Sequence, residues 1–315
     1  MKLLGFNDIK SLRIGPATCV EWVRESFLMK DRSVLPAKTS IHPQGNDFFN
    51  TMPCLLPDEF HRFGVKEVRR VAGAVPSIDA VELLYDSLTG RLLAIMDANW
   101  ITMMRTGAVA ALAAQTFRLS GEQVYSFIGL GNTARATLLC LLESERNMNH
   151  KVRLLRYKDQ AELFSQRFSD YDNVCFEYVD NVEALVGTST VLFSCVTDAG
   201  SLICPDDRVF PEGILVVPVH TKGFQNCDLF FDKVFADDRS HVCGFKYFDR
   251  FRSFGEIGNV LAGKCEGRTD NSQRILSYNI GIGLHDVLFA SRIYDMIEAE
   301  VGETDFENVT SKFWV

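Results

Sequence analysis

The sequence lacks any apolar run of the ~18–20 residues that a membrane-spanning helix requires. Its start, residues 1–8, lacks the long apolar core of a secretory signal peptide. Acidic and basic residues are interspersed and the formal net charge is −8, which argues against a basic surface for nucleic acid. We therefore expect a cytoplasmic protein that binds neither membrane nor nucleic acid.

Closely spaced cysteine pairs are also missing. The nine cysteines are an odd number, widely scattered, and contain no C-x-x-C pair. Neither a disulfide framework nor a zinc knuckle is expected, and His42, His61, His150 and His241 show no metal-ligand spacing. We expect buried free thiols, with one reactive cysteine as the alternative, and no bound metal.

The pattern of strands and helices indicates an α/β protein. The 315 residues are 47% apolar, enough for two domains or one large one. A hairpin is predicted at Ala80–Tyr85 and Leu92–Asp97, followed by an alanine-rich helix to Phe117 and, near the C-terminus, a helix over 283–301. Beyond residue 120, apolar runs alternate with helical segments, which is typical of a parallel sheet wound with helices on both faces. The predicted strands of this part are Val124–Ile128, Val152–Leu155, Val174–Val179, Thr190–Cys195, Ile214–Val219 and Val234–Ala236.

A glycine-rich turn follows the first of these strands and opens a helix. It reads Gly129-x-Gly131-x-x-Ala134, with Asn132 and Thr133 inside it. The first glycine allows the tight turn, the second lets the backbone approach a pyrophosphate, and the small third residue lets helix and strand pack closely. The helix N-terminus offers N–H groups to the anion. This context favours a dinucleotide site over a plain tight turn.

The other cofactor contacts are expected after two further strands of this part. Val196 and Thr197 follow the strand Thr190–Cys195 and are assigned to the cofactor site. Arg156 and Lys158 follow Val152–Leu155, where a basic residue tolerates the 2′-phosphate of NADP and an acid binds the ribose of NAD. These two cations favour NADP, Asp159 leaves NAD open, and a solvated charged loop is the alternative interpretation.

Several motifs together resemble the ornithine cyclodeaminase/μ-crystallin family over most of the chain. The stretches that carry the resemblance are Leu35–Lys38, Thr51–Pro53, Phe63–Lys66, Thr89–Asp97, Ile101–Ala108, the Gly129 turn, Gly255–Ile257 and Gly281–Asp286. Each is weak by itself, and their order and spacing make the resemblance specific.

The resemblance implies a homodimer with two domains. A Rossmann-type doubly wound parallel sheet over residues 118–285 would be inserted in an α+β substrate-binding and dimerisation domain formed by 1–117 and 286–315. Family members oxidise an amino acid to an imine or reduce an imine with NAD or NADP. Ornithine cyclodeaminases then let the substrate's side-chain amine attack the imine, ammonia leaves, and return of the hydride to the cyclic imine gives proline.

The resemblance also implies the substrate contacts. Lys66 matches the family's lysine, which hydrogen-bonds a substrate carboxylate or donates a proton, and Arg105 matches an arginine whose planar fork suits a carboxylate clamp. The alternatives are a surface lysine at a strand end and a helix-surface salt bridge. Ser77 falls where relatives carry a small hydroxyl residue near the substrate.

The sequence departs from the family pattern at several positions. Lys38 stands where the family usually has arginine, and His285 replaces an acidic residue. Lys222, in Val219-His220-Thr221-Lys222, aligns with the catalytic aspartate of ornithine cyclodeaminases and would repel the side-chain ammonium of ornithine. This predicts a substrate with an extra carboxylate or phosphate, or with an uncharged side chain. The alternative is that Lys222 points outward and His220 lines the site.

Three functions remain open from the sequence. The leading one is an NAD(P)-dependent oxidoreductase acting on a C–N bond through an imine: an amino-acid dehydrogenase, a ketimine reductase or an opine-type synthase. The second is ornithine cyclodeaminase activity. The third is a non-catalytic nucleotide-binding protein, against which the presence of both Lys66 and Arg105 argues.

Overall fold

The computed structural model describes residues 1–197, 199–297, 304 and 312, and the chain forms two compact units. The first unit contains Met1–Arg13, Arg32–Thr102 and the described residues from Asp286 onward. The second contains Ile14–Asp31 and Met103–His285.

The first unit contains a mixed six-stranded sheet of order β1-β6-β5-β4-β3-β2, in which only β1 runs parallel to its neighbour. Its strands are β1 (Lys2–Leu4), β2 (Thr39–Ile41), β3 (Phe48–Leu55), β4 (Arg62–Arg70), β5 (Ile78–Asp86) and β6 (Leu92–Asp97). The hairpin predicted from the sequence, β5–β6, is confirmed. The four preceding strands were not predicted.

The register of this sheet separates its two faces. Successive neighbours across five strands form one buried row, which consists of Leu4, Met96, Glu82, Lys66 and Met52. Side chains alternate between the faces of a strand, so the adjacent row lies on the other face. That row is apolar throughout and consists of Leu3, Ile95, Leu83, Val65 and Pro53.

The second unit contains an eight-stranded sheet whose pairings are all parallel, in the order β13-β12-β14-β11-β10-β7-β8-β9. Its strands are β7 (Val124–Ile128), β8 (His150–Leu155), β9 (Val174–Val179), β10 (Val191–Ser194), β11 (Leu215–Pro218), β12 (Lys233–Ala236), β13 (Phe254–Glu256) and β14 (Ile275–Tyr278). The central strands β10, β11 and β14 are buried at every position, as expected of a parallel sheet covered on both faces.

The α/β fold class with a Rossmann-type parallel sheet is therefore confirmed. All six strands predicted for this part are present, with ends that differ by at most two residues. The short strands β13 and β14 were not predicted. The helices are α1 (Phe6–Ser11), α2 (Pro16–Met29), α3 (Asn99–Phe117), α4 (Asn132–Ser144), α5 (Gln160–Gln166), α6 (Val182–Gly187), α7 (Cys227–Phe230), α8 (Ile257–Leu261) and α9 (Gly283–Met296). The end predicted for the last helix, near residue 301, lies outside the described residues.

The two units differ from the predicted domain boundary at two segments. Residues 14–31 and 103–117, which the sequence assigned to the substrate domain, belong to the second unit. The reason is packing: α2 contacts α4 and α8, and Gly107 of α3 lies so close to α4 that a Cβ there would be 2.5 Å from the carbonyl carbon of Ala136. Which unit binds substrate and which forms a dimer stays a prediction. Within the described part of the chain, no helix has the length and apolarity to cross a membrane.

The close crossing of α3 and α4 generates a stability prediction. Gly107→Ala would place a methyl group against the α4 backbone, and we expect a loss of about 1–3 kcal/mol in the free energy of unfolding, measured by urea denaturation. Without a clash, alanine would stabilise the helix interior by about 1 kcal/mol relative to glycine. A loss of unfolding free energy would therefore indicate that the added methyl group collides with α4. The control is Gly244→Ala, whose Cβ meets no atom within 4 Å. Equal stability of the two variants would contradict the packing described.

Candidate functional site

The glycine turn after β7 forms a cradle of exposed backbone. Gly129 has a φ of +79°, and a Cβ there would lie 2.8 Å from the carbonyl carbon of Cys195. Only glycine fits this left-handed position beside the chain that leaves β10. Gly131 is exposed, a Cβ on it would meet nothing within 4 Å, and it is the N-cap of the thirteen-residue helix α4.

These residues fit the pyrophosphate of a dinucleotide. As N-cap, Gly131 carries no side chain that could cover the first N–H groups of α4, and Asn132 beside it is exposed. Helix N-termini of this kind attract anions through their N–H groups and the helix dipole. Ala134 is fully buried, as the close approach of helix and sheet requires. Val196 lies beside Gly129, and Thr197 is exposed one residue further on.

The remaining predicted cofactor residues lie at the same sheet edge. Strands β10, β7 and β8 are neighbours and parallel, so the residues after them share one edge. Arg156, after β8, bonds to Glu162 at 3.1 Å and to Asp180 at 3.4 Å, and its guanidinium lies 5.1 Å from the centre of the Tyr178 ring. Lys158 adopts a φ of +54°. Arg156, the cation expected to face the 2′-phosphate of NADP, is therefore already paired with two carboxylates.

Lys66 lies in the buried row of the first unit. Alternate residues of β4 face the interior, and this alternation places Lys66 directly opposite Glu82 of β5 and Met52 of β3. The side chains of Lys66 and Asp286 are both 0% exposed, and Lys66 Nζ lies 2.6 Å from Asp286 Oδ1. Lys66 is therefore part of a buried charge cluster, and a surface lysine is excluded.

Glu82 and Asp286 are functional candidates that the sequence interpretation did not select. Glu82 is fully buried, and Gly64 makes room for it, because a Cβ at Gly64 would lie 2.8 Å from Glu82 Oε1 and from a methyl group of Val287. A signal existed: Glu82 alternates with apolar Ala80 and Leu84, so the hairpin prediction already placed a carboxylate on a core face. No comparable signal marked Asp286 as the partner of Lys66.

Arg105 of α3 belongs to the second unit and is 5% exposed. Its guanidinium lies against Gly281, where φ is +91° and a Cβ would lie 2.0 Å from Nη1. The N–H of Gly281 donates to Oδ2 of the buried Asp237. Burial opposes the charge on Asp237, but His241 and the Gly281 N–H outweigh it and lower the pKa of Asp237 below its ordinary value.

His220 and Lys222 follow β11 and have different environments. His220 is half-buried and its Nε2 lies 2.7 Å from Ser194 Oγ at the end of β10. Burial lowers the pKa of His220 below its ordinary value, so the ring is neutral at pH 7. Lys222 is exposed. Positive charge after β11 therefore comes from Lys222, while His220 contributes a neutral hydrogen-bonding ring.

The sheet brings Lys38, but not Ser77, toward the row that contains Lys66. Lys38 is half-buried just before the edge strand β2, and the register that pairs Thr39 with Thr51, continued by one residue, places it across from Met52, which lies opposite Lys66. Ser77 is exposed and precedes Ile78, which pairs with Arg70, four residues along β4 from Lys66. At ~3.4 Å per residue this separation is roughly 13 Å or more. Among the residues that the structure describes, no group of three or more His, Cys, Asp and Glu side chains is placed to hold a metal ion.

Comparison with known proteins places this geometry in a family context. The sequence model of the ornithine cyclodeaminase/mu-crystallin family matches residues 8–301. The nodulation efficiency protein NfeD of Rhizobium meliloti is 28% identical over 276 residues, 84% of this chain and 84% of that protein. The N-((2S)-2-amino-2-carboxyethyl)-L-glutamate dehydrogenase of Staphylococcus aureus is 27% identical over 243 residues, 71% of this chain and 70% of that protein.

A solved structure confirms the fold. The Delta(1)-pyrroline-2-carboxylate reductase of Thermococcus litoralis, in complex with NADH and L-proline, superimposes with a TM-score of 0.83 at 23% sequence identity. The match covers 94% of this chain and 97% of that one. Both the parallel sheet and the mixed sheet are therefore features of a known architecture.

The buried ion pair generates a prediction about stability. Removing one partner leaves an uncompensated buried charge, so Lys66→Met and Asp286→Leu are each expected to cost about 3–5 kcal/mol of unfolding free energy. The double variant replaces both charges by apolar groups and is expected to be more stable than either single variant. Chemical denaturation of the four proteins measures this. Additive losses would show that the two side chains do not interact.

Proposed function

Because this chain belongs to the ornithine cyclodeaminase/mu-crystallin family, we propose that it is an NAD- or NADP-dependent oxidoreductase acting on the carbon–nitrogen bond of an amino acid or a 2-imino acid. The class includes amino-acid dehydrogenases, ketimine reductases and opine-type synthases. The relative from Staphylococcus aureus is named as a dehydrogenase of N-((2S)-2-amino-2-carboxyethyl)-L-glutamate, in which the nitrogen of glutamate carries an amino-carboxyethyl group.

The observation that carries the proposal is the buried pair of Lys66 and Asp286. Ion pairs removed from water seldom add stability over an apolar pair of similar size, because the loss of hydration offsets their attraction. Here both side chains are 0% exposed and a second carboxylate, Glu82, faces Lys66 across the sheet. A cluster of this kind is better explained by chemistry than by folding, and it argues against a protein that only binds nucleotides.

The cofactor would be held by the second unit. The turn Gly129–Ala134 would take the pyrophosphate, and the residues after β8 and β10 would line the adenosine side and the approach to the nicotinamide. When bound, a reduced nicotinamide supplies the hydride that converts an imine carbon to an amine carbon. The residues of this chain must then bind the substrate and deliver a proton to its nitrogen.

Lys66 and Arg105 are proposed for these two tasks. Arg105 presents a planar guanidinium held against Gly281, which suits two parallel hydrogen bonds to a substrate carboxylate. Lys66 is an ammonium held against Asp286, and it would hydrogen-bond the substrate carboxylate or deliver a proton to the nitrogen. Asp286 would hold the Lys66 ammonium in place and stabilise its orientation.

The substrate is proposed to carry a second acidic group or an uncharged side chain. Lys222 places an exposed positive charge after β11, and His220 beside it is a neutral donor or acceptor anchored by Ser194. A side-chain ammonium, as in ornithine, would be repelled by Lys222. We therefore rank imine reduction above ornithine cyclisation.

We also propose a homodimer formed through the first unit. The apolar row of Leu3, Ile95, Leu83, Val65 and Pro53 runs across the face of the sheet opposite Lys66, and Leu3 is 48% exposed. Contiguous apolar surface of this kind marks protein–protein interfaces.

The function is tested by oxidation of NADH and NADPH at 340 nm with imines formed from 2-oxo acids and ammonium or amino acids. We expect turnover of a 2-imino acid, fastest with a second carboxylate, and at least about a tenfold lower rate of proline formation from ornithine. Lys66→Met is expected to remove turnover and to keep nucleotide binding. Efficient conversion of ornithine to proline would contradict the charge argument, and nucleotide binding without any turnover would support the non-catalytic alternative.

Cofactor preference is tested at Arg156. Glu162→Gln with Asp180→Asn releases Arg156 from both carboxylates, so we expect the affinity for NADPH to rise about threefold to tenfold while that for NADH stays unchanged. Fluorescence titration measures both affinities. The matched control is Glu212→Gln, an exposed carboxylate elsewhere in the second unit. An equal gain for both nucleotides would show that Arg156 does not face the 2′ position.

A further inference from the structure

A buried carboxylate lies behind Arg105 and has no part in the chemistry proposed above. Asp237 is 0% exposed and follows directly after β12. Strand β12 pairs with β14, with Ala236 opposite Tyr278, and the N–H of Asp237 continues this pairing by donating to the Tyr278 carbonyl. The chain then reaches Gly281 three residues after β14 ends. The parallel pairing therefore brings Asp237 and Gly281 together.

Asp237 accepts hydrogen bonds with both carboxylate oxygens. Oδ2 accepts the N–H of Gly281, and Oδ1 accepts the N–H of Asp238 at 2.9 Å and lies 3.5 Å from Nδ1 of His241. A carboxylate offers acceptors on both oxygens, whereas an asparagine would turn an NH₂ group toward one of these N–H donors. The site therefore requires a carboxylate, and the shape of the residue alone is not sufficient.

Asp237 is itself fixed by a second set of charges. Lys30, directly after α2, donates to the Asp237 carbonyl at 3.2 Å and pairs at 2.7 Å with both Asp238 and Glu256. Burial opposes the charge on Lys30, but these two carboxylates outweigh it and raise the pKa of Lys30 above its ordinary value. The segment that carries Asp237 is thus held by Lys30 and by the neighbouring strand β14.

Gly281 transmits this anchoring to Arg105. Its φ of +91° is a conformation that only glycine adopts easily, and its α-carbon lies where a side chain would meet the guanidinium. The distance of 2.0 Å from a hypothetical Cβ to Arg105 Nη1 means that the turn forms one wall of the guanidinium site. A shift of this turn would move that wall.

We propose that Asp237 is a positioning residue for Arg105: its acceptor-only carboxylate fixes the Gly281 turn, and the turn fixes the orientation of the guanidinium. The inference rests on the proposed function, in which Arg105 binds the substrate carboxylate. It predicts that loss of the Asp237 charge impairs substrate binding without impairing nucleotide binding.

The test is a double-mutant cycle of Arg105→Lys and Asp237→Asn in the full chain, assayed with the best 2-imino acid substrate. Arginine-to-lysine replacement removes the planar fork and keeps the charge. We expect Asp237→Asn to raise KM about tenfold, with kcat within about threefold and the dissociation constant of NADH or NADPH unchanged. In the double variant, KM is expected within about twofold of that of Arg105→Lys alone, because both changes act on one interaction.

The matched control is Asp232→Asn. This aspartate immediately precedes β12, accepts the N–H of Arg274 at 2.9 Å and pairs with Arg252, but it does not contact Gly281. We expect its KM to equal that of the unchanged protein. A rise in KM equal to that of Asp237→Asn would indicate a general loss of packing around β12 and would overturn the inference.

The outcomes separate the inference from the proposed function. A normal KM in Asp237→Asn, or fully multiplicative effects in the double variant, would overturn the positioning role while leaving the function intact. A normal KM in Arg105→Lys would contradict the role of Arg105 and both proposals with it. If Asp237→Asn does not fold, Gly281→Ala keeps Asp237 and displaces the guanidinium directly, and it is expected to raise KM in the same way. An unchanged KM in a folded Gly281→Ala would overturn the inference.

Discussion

The buried ion pair between Lys66 and Asp286 is the interaction on which the proposed function depends. It joins strand β4 to helix α9, and neither side chain has any exposed surface. Burying two charges is costly unless each meets the other with good geometry, and the attraction at 2.6 Å supplies this compensation. The local sequence is adapted to it: Gly64, two residues before Lys66, leaves room for the carboxylate of Glu82. The first unit therefore contains a charge cluster within an otherwise apolar buried row of its sheet.

The second unit shapes its candidate site through the backbone. Gly129 and Gly281 both have positive φ values, and at both positions a Cβ would collide, with the chain after β10 in one case and with Arg105 in the other. Each follows the carboxyl end of a strand in the same parallel sheet, where α/β proteins bind their ligands. One turn exposes N–H groups suited to phosphate, and the other shapes the surroundings of a guanidinium. Both turns pack against parts of the chain that are far away in sequence.

The sequence was sufficient to predict much of the second unit, because continuous apolar strands and the Gly129 turn are local signals. The strands β7 to β12 were found for this reason. What it could not show were partners that lie far apart in the chain. Asp286 is 220 residues from Lys66, and Asp237 is 44 residues from Gly281. The extent of the second unit could not be predicted either. The alanine-rich sequence of α3 indicates close packing against another element, but it does not show that this element is α4. The roles of Lys38 and Ser77 stay predictions.

The central claim is that hydride passes from a nicotinamide to an imine carbon. The most direct test uses NADH or NADPH carrying deuterium at the transferred position of C4, with a 2-oxo acid and an amine, followed by mass spectrometry of the amino acid formed. The account predicts a product one mass unit heavier, with the deuterium on the α-carbon. A product without the label, or no amino acid product with either nucleotide, would contradict it.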